Sequence, residues 1–241
     1  MDQPPPPIVL LYEDDAVVVV DKPAGVPVIP APGWPATACL QARAAAQLGS
    51  RLWTVHRLDR DTSGALAFAR SAAAHRALSI AFERRQVRKD YQALVAGVPE
   101  PRHGAIDVPL HEARKGTARP ARRGEAGARE ASTGYRVQQS WRHDGRAVAL
   151  VALTPHTGRH HQIRVHLRAM GTPILADPVY GGRQMALPGG AGPRRLALHA
   201  SVLDLPHPAG GRRVAVSSPW PADLEAVRLW LDRHWVVDSL L

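Results

Sequence analysis

The sequence predicts an α+β fold with a central mixed, largely antiparallel sheet flanked by helices and loops. Short β-branched or alternating apolar runs recur throughout the 241 residues, and only a few segments of helical period lie between them. They do not alternate regularly as strand, helix, strand, which is the pattern of a parallel sheet. Length and a hydrophobic content of 45% suffice for one large core. The chain therefore reads as a proline-rich tail over 1–7 followed by a single domain over 8–241.

IVLLY and AVVVVD, separated by the acidic turn Glu13, Asp14 and Asp15, read as paired strands. Lys22 to Pro35, KPAGVPVIPAPGWP, is too rich in proline and glycine for a regular element and is expected to be a surface loop. Thr37 is placed to cap a helix through about Leu48. GALAFAR is a strand; Ser71 then caps a helix whose apolar face is Ala74, Leu78, Ala81 and Phe82. KDYQALVAG alternates as a strand, with Tyr91, Ala93 and Val95 on one side.

The segment 112–130 carries six basic residues, Arg114, Lys115, Arg119, Arg122, Arg123 and Arg129, among glycine and alanine, and reads as a flexible basic loop. Strands return at 133–139 and 147–153. TPHTGR makes a turn, after which Ile163, His166, Leu167 and Met170 line one helical face and Arg164 and Arg168 another, until Gly171 and Pro173 end the helix. Residues 196–205 and 213–216 supply the last strands. Pro221 opens a C-terminal helix with Leu224, Val227 and Leu231 facing inward.

Lysine and arginine number 31 against 21 acidic residues, a net charge of +10 that suits a polyanionic partner through phosphate neutralisation. Only three of the basic residues are lysines, as a GC-rich genome would also produce. A single cysteine, Cys39, excludes an internal disulfide framework or a cysteine-based zinc cluster and is expected to fill a small core site. MDQPPPP lacks the basic and apolar regions of a secretory signal, and no segment reaches the roughly 20 apolar residues of a membrane span. A cytoplasmic protein with no membrane contact is expected.

HRLDRDTSG, His56 to Gly64, packs two arginines, two aspartates and a histidine into six positions. Its two aspartates are open to two readings: a solvated loop of cancelling charges worth about 0–1 kcal/mol per pair, or a reactive acid held ionised by cations. Asp61 sits in turn chemistry, where its carboxylate can accept backbone amides. Asp59 lacks that explanation, and with Leu58 turned inward it projects together with Arg57.

A serine-hydrolase reading of His56, Asp59 and Ser63 fails on the absent G-x-S-x-G elbow and on crowding. A metal reading of His160, His161 and His166 lacks an H-E-x-x-H pair or a carboxylate at ligand spacing. TGRHHQIRVHL offers a glycine turn, a helix start, Arg159 and Arg164, donors suited to a phosphate or a carboxylate. An arginine there is one way to hold Asp59 ionised.

EDDAVVVVDKPAG, HRLDRDTSG, RKDYQALVAG, LTPHTGRHHQIRVHLRAMGTPILADPVYG and LALHASVLDLPHP, in that order, resemble the RluA-type family of pseudouridine synthases over about Tyr12 to Trp220. The resemblance implies that Asp59 is the catalytic aspartate, Tyr91 the active-site tyrosine and Arg164 the basic residue pairing with the acid. It implies substrate contacts for His56 and Arg57, the arginine helping to extrude the target nucleotide; Arg159 and Gln162, on the turn into the following helix, are the further substrate contacts expected. Two departures stand out, Arg60 where lysine is frequent and Ala176 where glycine often precedes the aspartate matching Asp177; neither is expected to touch the chemistry. The catalytic pattern starts within the first dozen residues, so no separate N-terminal RNA-binding domain is expected.

The implied reaction isomerises uridine in structured rRNA or tRNA with no cofactor, no metal and no obligate protein partner. Such a site needs an ionised carboxylate near the ribose, a cation, an aromatic face for the base and a route for flipping it out. Two routes stay open for Asp59, attack on the anomeric carbon or removal of a proton from the neighbouring ribose carbon. A noncatalytic RNA-binding or ribosome-assembly protein on the same fold and a base glycosylase are the alternatives.

Overall fold

The computed structural model describes residues 6–113, 116–181 and 187–238. In chain order the elements are β1 (Val9–Glu13), β2 (Val17–Lys22), α1 (Leu40–Leu48), β3 (Trp53–Thr54), β4 (Ser63–Ala69), α2 (Ala72–Glu83), β5 (Arg88–Ala96), β6 (His103–Ile106) and β7 (Leu110–Ala113). There follow β8 (Thr117–Pro120), β9 (Thr133–His143), β10 (Arg146–Pro155), α3 (Gln162–Ala169), β11 (Leu198–Pro206), β12 (Arg213–Ser217), α4 (Ala222–His234) and β13 (Val236–Val237). The described residues form two compact units, one within 1–89 and 200–219, the other within 90–199 and 220–241. The sequence shows no such division, because the boundaries at 89/90 and 199/200 fall inside the strands β5 and β11 and no linker marks them. Among the described residues no helix is long and apolar enough to cross a membrane.

In the first unit the acidic turn joins β1 and β2 as an antiparallel pair, and β2 runs antiparallel to β4 from Val17↔Ala69 to Lys22↔Gly64. Val17 to Val20 are all fully buried, so both faces of β2 are covered, as a continuous apolar run requires. Gly64 sits at φ +119°, and a Cβ there would lie 2.2 Å from the carbonyl oxygen of Ala200 on β11. Only glycine permits that approach of two strands.

α2 starts as its sequence demands, with the Ser71 hydroxyl accepting from the Ala74 N–H at 3.1 Å. It lays Ala74, Leu78 and Ala81 on a core with Val17, Val19, Ala67, Leu203 and Val214. α1 corrects an expectation: a 3₁₀ turn occupies Ala36–Ala38, and the helix begins only at Leu40 with buried Cys39 in the cap position and no side-chain cap. Pro35, extended before that turn, leaves Thr37 inside the 3₁₀ segment instead of ahead of the helix.

In the second unit β9 and β10 form a long hairpin turned at Asp144 and Gly145, whose φ values of +46° and +71° are those of a type I′ turn. β10 pairs with β5 from Val148↔Ala96 to Leu153↔Tyr91, and β13 and β6 pair with β9. α3 and α4 cover this sheet with Leu167, Leu224 and Leu231, packing on Leu94, Trp141, Val151 and Leu153. The buried Trp141 indole donates to Asp232 of α4 at 2.8 Å. The segment expected to be a flexible basic loop contains a regular hairpin, β7 with β8, from Leu110↔Pro120 to Ala113↔Thr117. Two of its basic residues, Arg114 and Lys115, lie outside the described residues.

Candidate active site

The first unit presents His56 to Thr62 as a loop between β3 and β4, and the motif's last two residues, Ser63 and Gly64, open β4. Leu58 is buried, Arg57 exposed and Asp59 partly exposed, so the two charged side chains leave the core together as their alternation demands. The turn after Asp59 is closed by the backbone, the Thr62 N–H donating to the Asp59 carbonyl at 3.2 Å. Asp61 was expected to build this turn through its carboxylate; instead both its oxygens accept from Arg60, at 2.9 and 3.0 Å, as a surface ion pair.

His56 is fixed from both sides. Its Nε2 accepts from the Ala67 N–H at 3.0 Å, and its ring stacks on Phe82 with centroids 4.6 Å apart. Burial, and after it the Lys89 ammonium, pushes its pKa down to about 3, so the imidazole is neutral at pH 7. With that lone pair occupied, His56 cannot serve as the base of a serine triad.

Sequence reasoning passed over Lys22. It is fully buried, with Nζ donating to the carbonyls of Pro23 at 2.8 Å and Arg60 at 2.7 Å, while the Gly25 N–H donates to the same Arg60 carbonyl at 2.9 Å. The KPAG turn is thereby clamped onto the loop that carries Asp59. The advance signals were its rarity, a lysine in a chain that otherwise prefers arginine, and its place in the EDDAVVVVDKPAG block.

The second unit holds Tyr91, Arg159, Gln162 and Arg164. Tyr91 lies on β5 opposite Leu153, packed against the edge of the core. On the turn into α3, the Gln162 side chain makes four bonds. Its oxygen accepts from the Thr157 hydroxyl at 2.7 Å and the Arg159 N–H at 3.0 Å, and its nitrogen donates to the Ser132 carbonyl and the Thr133 hydroxyl, both at 2.9 Å. Those use every hydrogen-bonding position of the amide, so the residue expected to touch substrate acts in the structure as the brace of the turn. Arg159, partly exposed, donates Nε to the Glu130 carbonyl at 3.1 Å.

Arg164 is buried on α3, unlike exposed Arg168 one turn on, although both were assigned one face. Its Nε and Nη2 donate to the two oxygens of Asp177, each at 2.8 Å, with side chains only 7% and 1% exposed. Burial alone would raise the Asp177 pKa, but Arg164 and the N–H groups of Tyr180 and Val179 outweigh it and hold the acid below the usual carboxylate range. The Tyr180 ring lies over the guanidinium at 5.0 Å. Asp177 and Tyr180, which the sequence did not single out as candidate site residues, are thus the side chains that hold Arg164. The signal was present in DPVY, where the aspartate accepts the amides two and three residues on, both at 2.9 Å.

The histidines weighed for a metal have other occupations. His160 stacks on His161, His161 bonds Tyr180, and buried His166 lies between Thr133 and the Val108 carbonyl. Among the described residues no group of three or more histidine, cysteine or carboxylate side chains is arranged to hold a metal.

Comparison with known proteins places these features in a family context. Residues 16–169, which include Asp59, Tyr91 and Arg164, match the family model described as RNA pseudouridylate synthase. An uncharacterized RNA pseudouridine synthase of Chloroflexus aurantiacus is 42% identical over 213 residues, covering 86% of this chain and 64% of that protein. The ribosomal large subunit pseudouridine synthase D of Pseudomonas aeruginosa is 38% identical over 227 residues, covering 88% and 67%. The chain thus spans about two thirds of the length of these relatives. Among solved structures, human RNA pseudouridylate synthase domain containing 4 superposes with a TM-score of 0.76 at 28% identity, over 96% of this chain and 94% of that one.

Proposed function

Because this chain belongs to the RNA pseudouridylate synthase family, we propose that it isomerises uridine to pseudouridine in structured RNA, ribosomal or transfer RNA, in the cytoplasm. The observation that carries the proposal is a family match that runs through all three residues expected to do the chemistry. In the reaction the bond from ribose to the base nitrogen breaks, the uracil turns, and its carbon five joins the same sugar carbon. That carbon gives up its proton and the freed nitrogen gains one, so atoms balance with no group donor and no change of oxidation state.

In this proposal Asp59 is the carboxylate that works at the ribose. Tyr91 supplies the aromatic partner of the base, stacking being worth roughly 1–3 kcal/mol, and Arg164 supplies the cation. Arg57, exposed two residues before Asp59, helps displace the target nucleotide and fills its place. His56, neutral and stacked on Phe82, supports this proposal as an anchor of the loop. The exposed Arg119, Arg122, Arg123 and Arg129 grip phosphates.

The test is to incubate purified protein with total RNA and read pseudouridine by a pseudouridine-specific chemical label. Mass-neutral, site-specific conversion is expected. Release of free uracil would identify a glycosylase, and RNA binding without conversion a noncatalytic protein on this fold.

A further inference from the structure

Tyr180 occupies a junction that the proposed chemistry does not by itself require. Its ring covers the Arg164 guanidinium at 5.0 Å, and its backbone N–H donates to Asp177, the acid that grips Arg164 through both oxygens. Its hydroxyl accepts from the Ala118 N–H on β8 at 2.8 Å and is hydrogen-bonded, also at 2.8 Å, to Nδ1 of His161. His161 holds a left-handed conformation, φ +54°, at the cap of α3. Its neighbour His160 stacks on it at 3.8 Å and reaches the Gly116 carbonyl at 2.9 Å. Besides the packing of Leu110 and Ala118 with Val165 and Tyr180, the basic hairpin is bonded to Tyr180 and to the turn that opens the helix of Arg164.

We infer that Tyr180 is a positioning residue coupling the β7–β8 hairpin to Arg164, so that RNA gripping the hairpin also sets the orientation of the arginine. Phosphates drawn to Arg119, Arg122 and Arg123 load β8 and the residues after it, and the Ala118 N–H passes the hairpin's position to the tyrosine hydroxyl. The ring, held at its other end by the Asp177 turn, leaves the guanidinium one orientation while the hairpin is docked. The inference rests on the uridine-isomerase proposal and adds the device by which that site responds to its substrate.

The experiment compares wild type, Tyr180→Phe, Ala118→Pro and the double variant in single-turnover pseudouridine formation at saturating RNA, with RNA affinity and thermal melting measured alongside. Tyr180→Phe keeps the ring over Arg164 and removes only the hydroxyl; Ala118→Pro removes the N–H that meets it. Each is expected to slow the saturated rate about tenfold, the effect of one hydrogen bond felt at the transition state. RNA affinity for Tyr180→Phe should stay within about twofold of wild type. The double variant should be no slower than the slower single, because both changes break the same link.

An unchanged rate for Tyr180→Phe, or effects that multiply in the double variant, overturns the coupling. So does a fall in melting temperature and RNA affinity with no change in the saturated rate, the mark of a merely structural tyrosine. If Ala118→Pro unseats the hairpin altogether, the rate loss must still appear, since undocking is the perturbation intended. Failure of the wild type to form pseudouridine defeats the underlying function instead and is read in the same assay before any variant is compared.

Discussion

Replacing Gln162 by leucine separates two roles for a residue expected to touch substrate. Leucine keeps most of the volume and removes all four hydrogen bonds. The Ser132 carbonyl retains the His156 N–H at 2.9 Å and the Thr133 hydroxyl retains His166, so those two partners lose part of their satisfaction. The Arg159 N–H and the Thr157 hydroxyl proton lose the acceptor they share. Leaving a buried polar group without a partner costs about 1–3 kcal/mol, and each ordinary hydrogen bond contributes about 0.5–1.5 kcal/mol net, so the substitution should cost roughly 2–5 kcal/mol. At about 2–4 °C per kcal/mol for a chain of this size, melting should fall by on the order of 10 °C. The assay is circular dichroism on heating, with RNA affinity measured well below the transition. An unchanged melting temperature with weakened RNA binding would refute the brace and restore Gln162 to the substrate surface.

Three further outcomes follow from single positions. Gly64→Ala drives a Cβ to within 2.2 Å of the Ala200 carbonyl oxygen and should strip the first unit of its cooperative unfolding transition; a variant melting within a degree or two of wild type would show that these strands can part without loss. Ala176, at φ +54°, carries strain that glycine relieves, so Ala176→Gly should raise stability by about 1 kcal/mol after the glycine's extra unfolded-state entropy is subtracted, and an unchanged or lower denaturant midpoint would contradict this. For His56 the folded pKa of about 3 lies below the unfolded value, so the unfolded chain binds the proton first. Its contribution is complete above about pH 6.5 and is lost as pH falls toward about 3, at up to about 1.4 kcal/mol per pH unit. His56→Phe should flatten that part of the stability profile, and an equal slope in both proteins would disprove it.

What the sequence disclosed was what short-range chemistry controls. The Ser71 cap needs only the amide three residues on, and the apolar runs of β2, β4 and β5 declare themselves by composition and alternation. Asp59 and Arg57 leaving together from beside buried Leu58 follows from the same alternation. The relations that stayed hidden depend on distant partners. β7 and β8 contain little β-branched sequence, and β8 is held by a tyrosine 62 positions away from Ala118. Lys22 finds its acceptor on Arg60, 38 residues on, and Arg164 finds Asp177 after 13 residues that include the end of a helix. Thr37 was misread for a local reason, the 3₁₀ turn that Pro35 precedes. Motif resemblance could name Asp59, Tyr91 and Arg164; the atoms that hold Arg164 and the Asp59 loop in place emerged only from the fold.

The central claim, that Asp59 carries out a uridine isomerisation, is tested most directly with RNA tritiated at carbon five of uracil. Wild-type protein should release tritium to water as the new carbon bond forms, while Asp59→Asn should bind the RNA and release none above background. Tritium release by Asp59→Asn at a rate near that of wild type would contradict the assignment of the chemistry to this carboxylate.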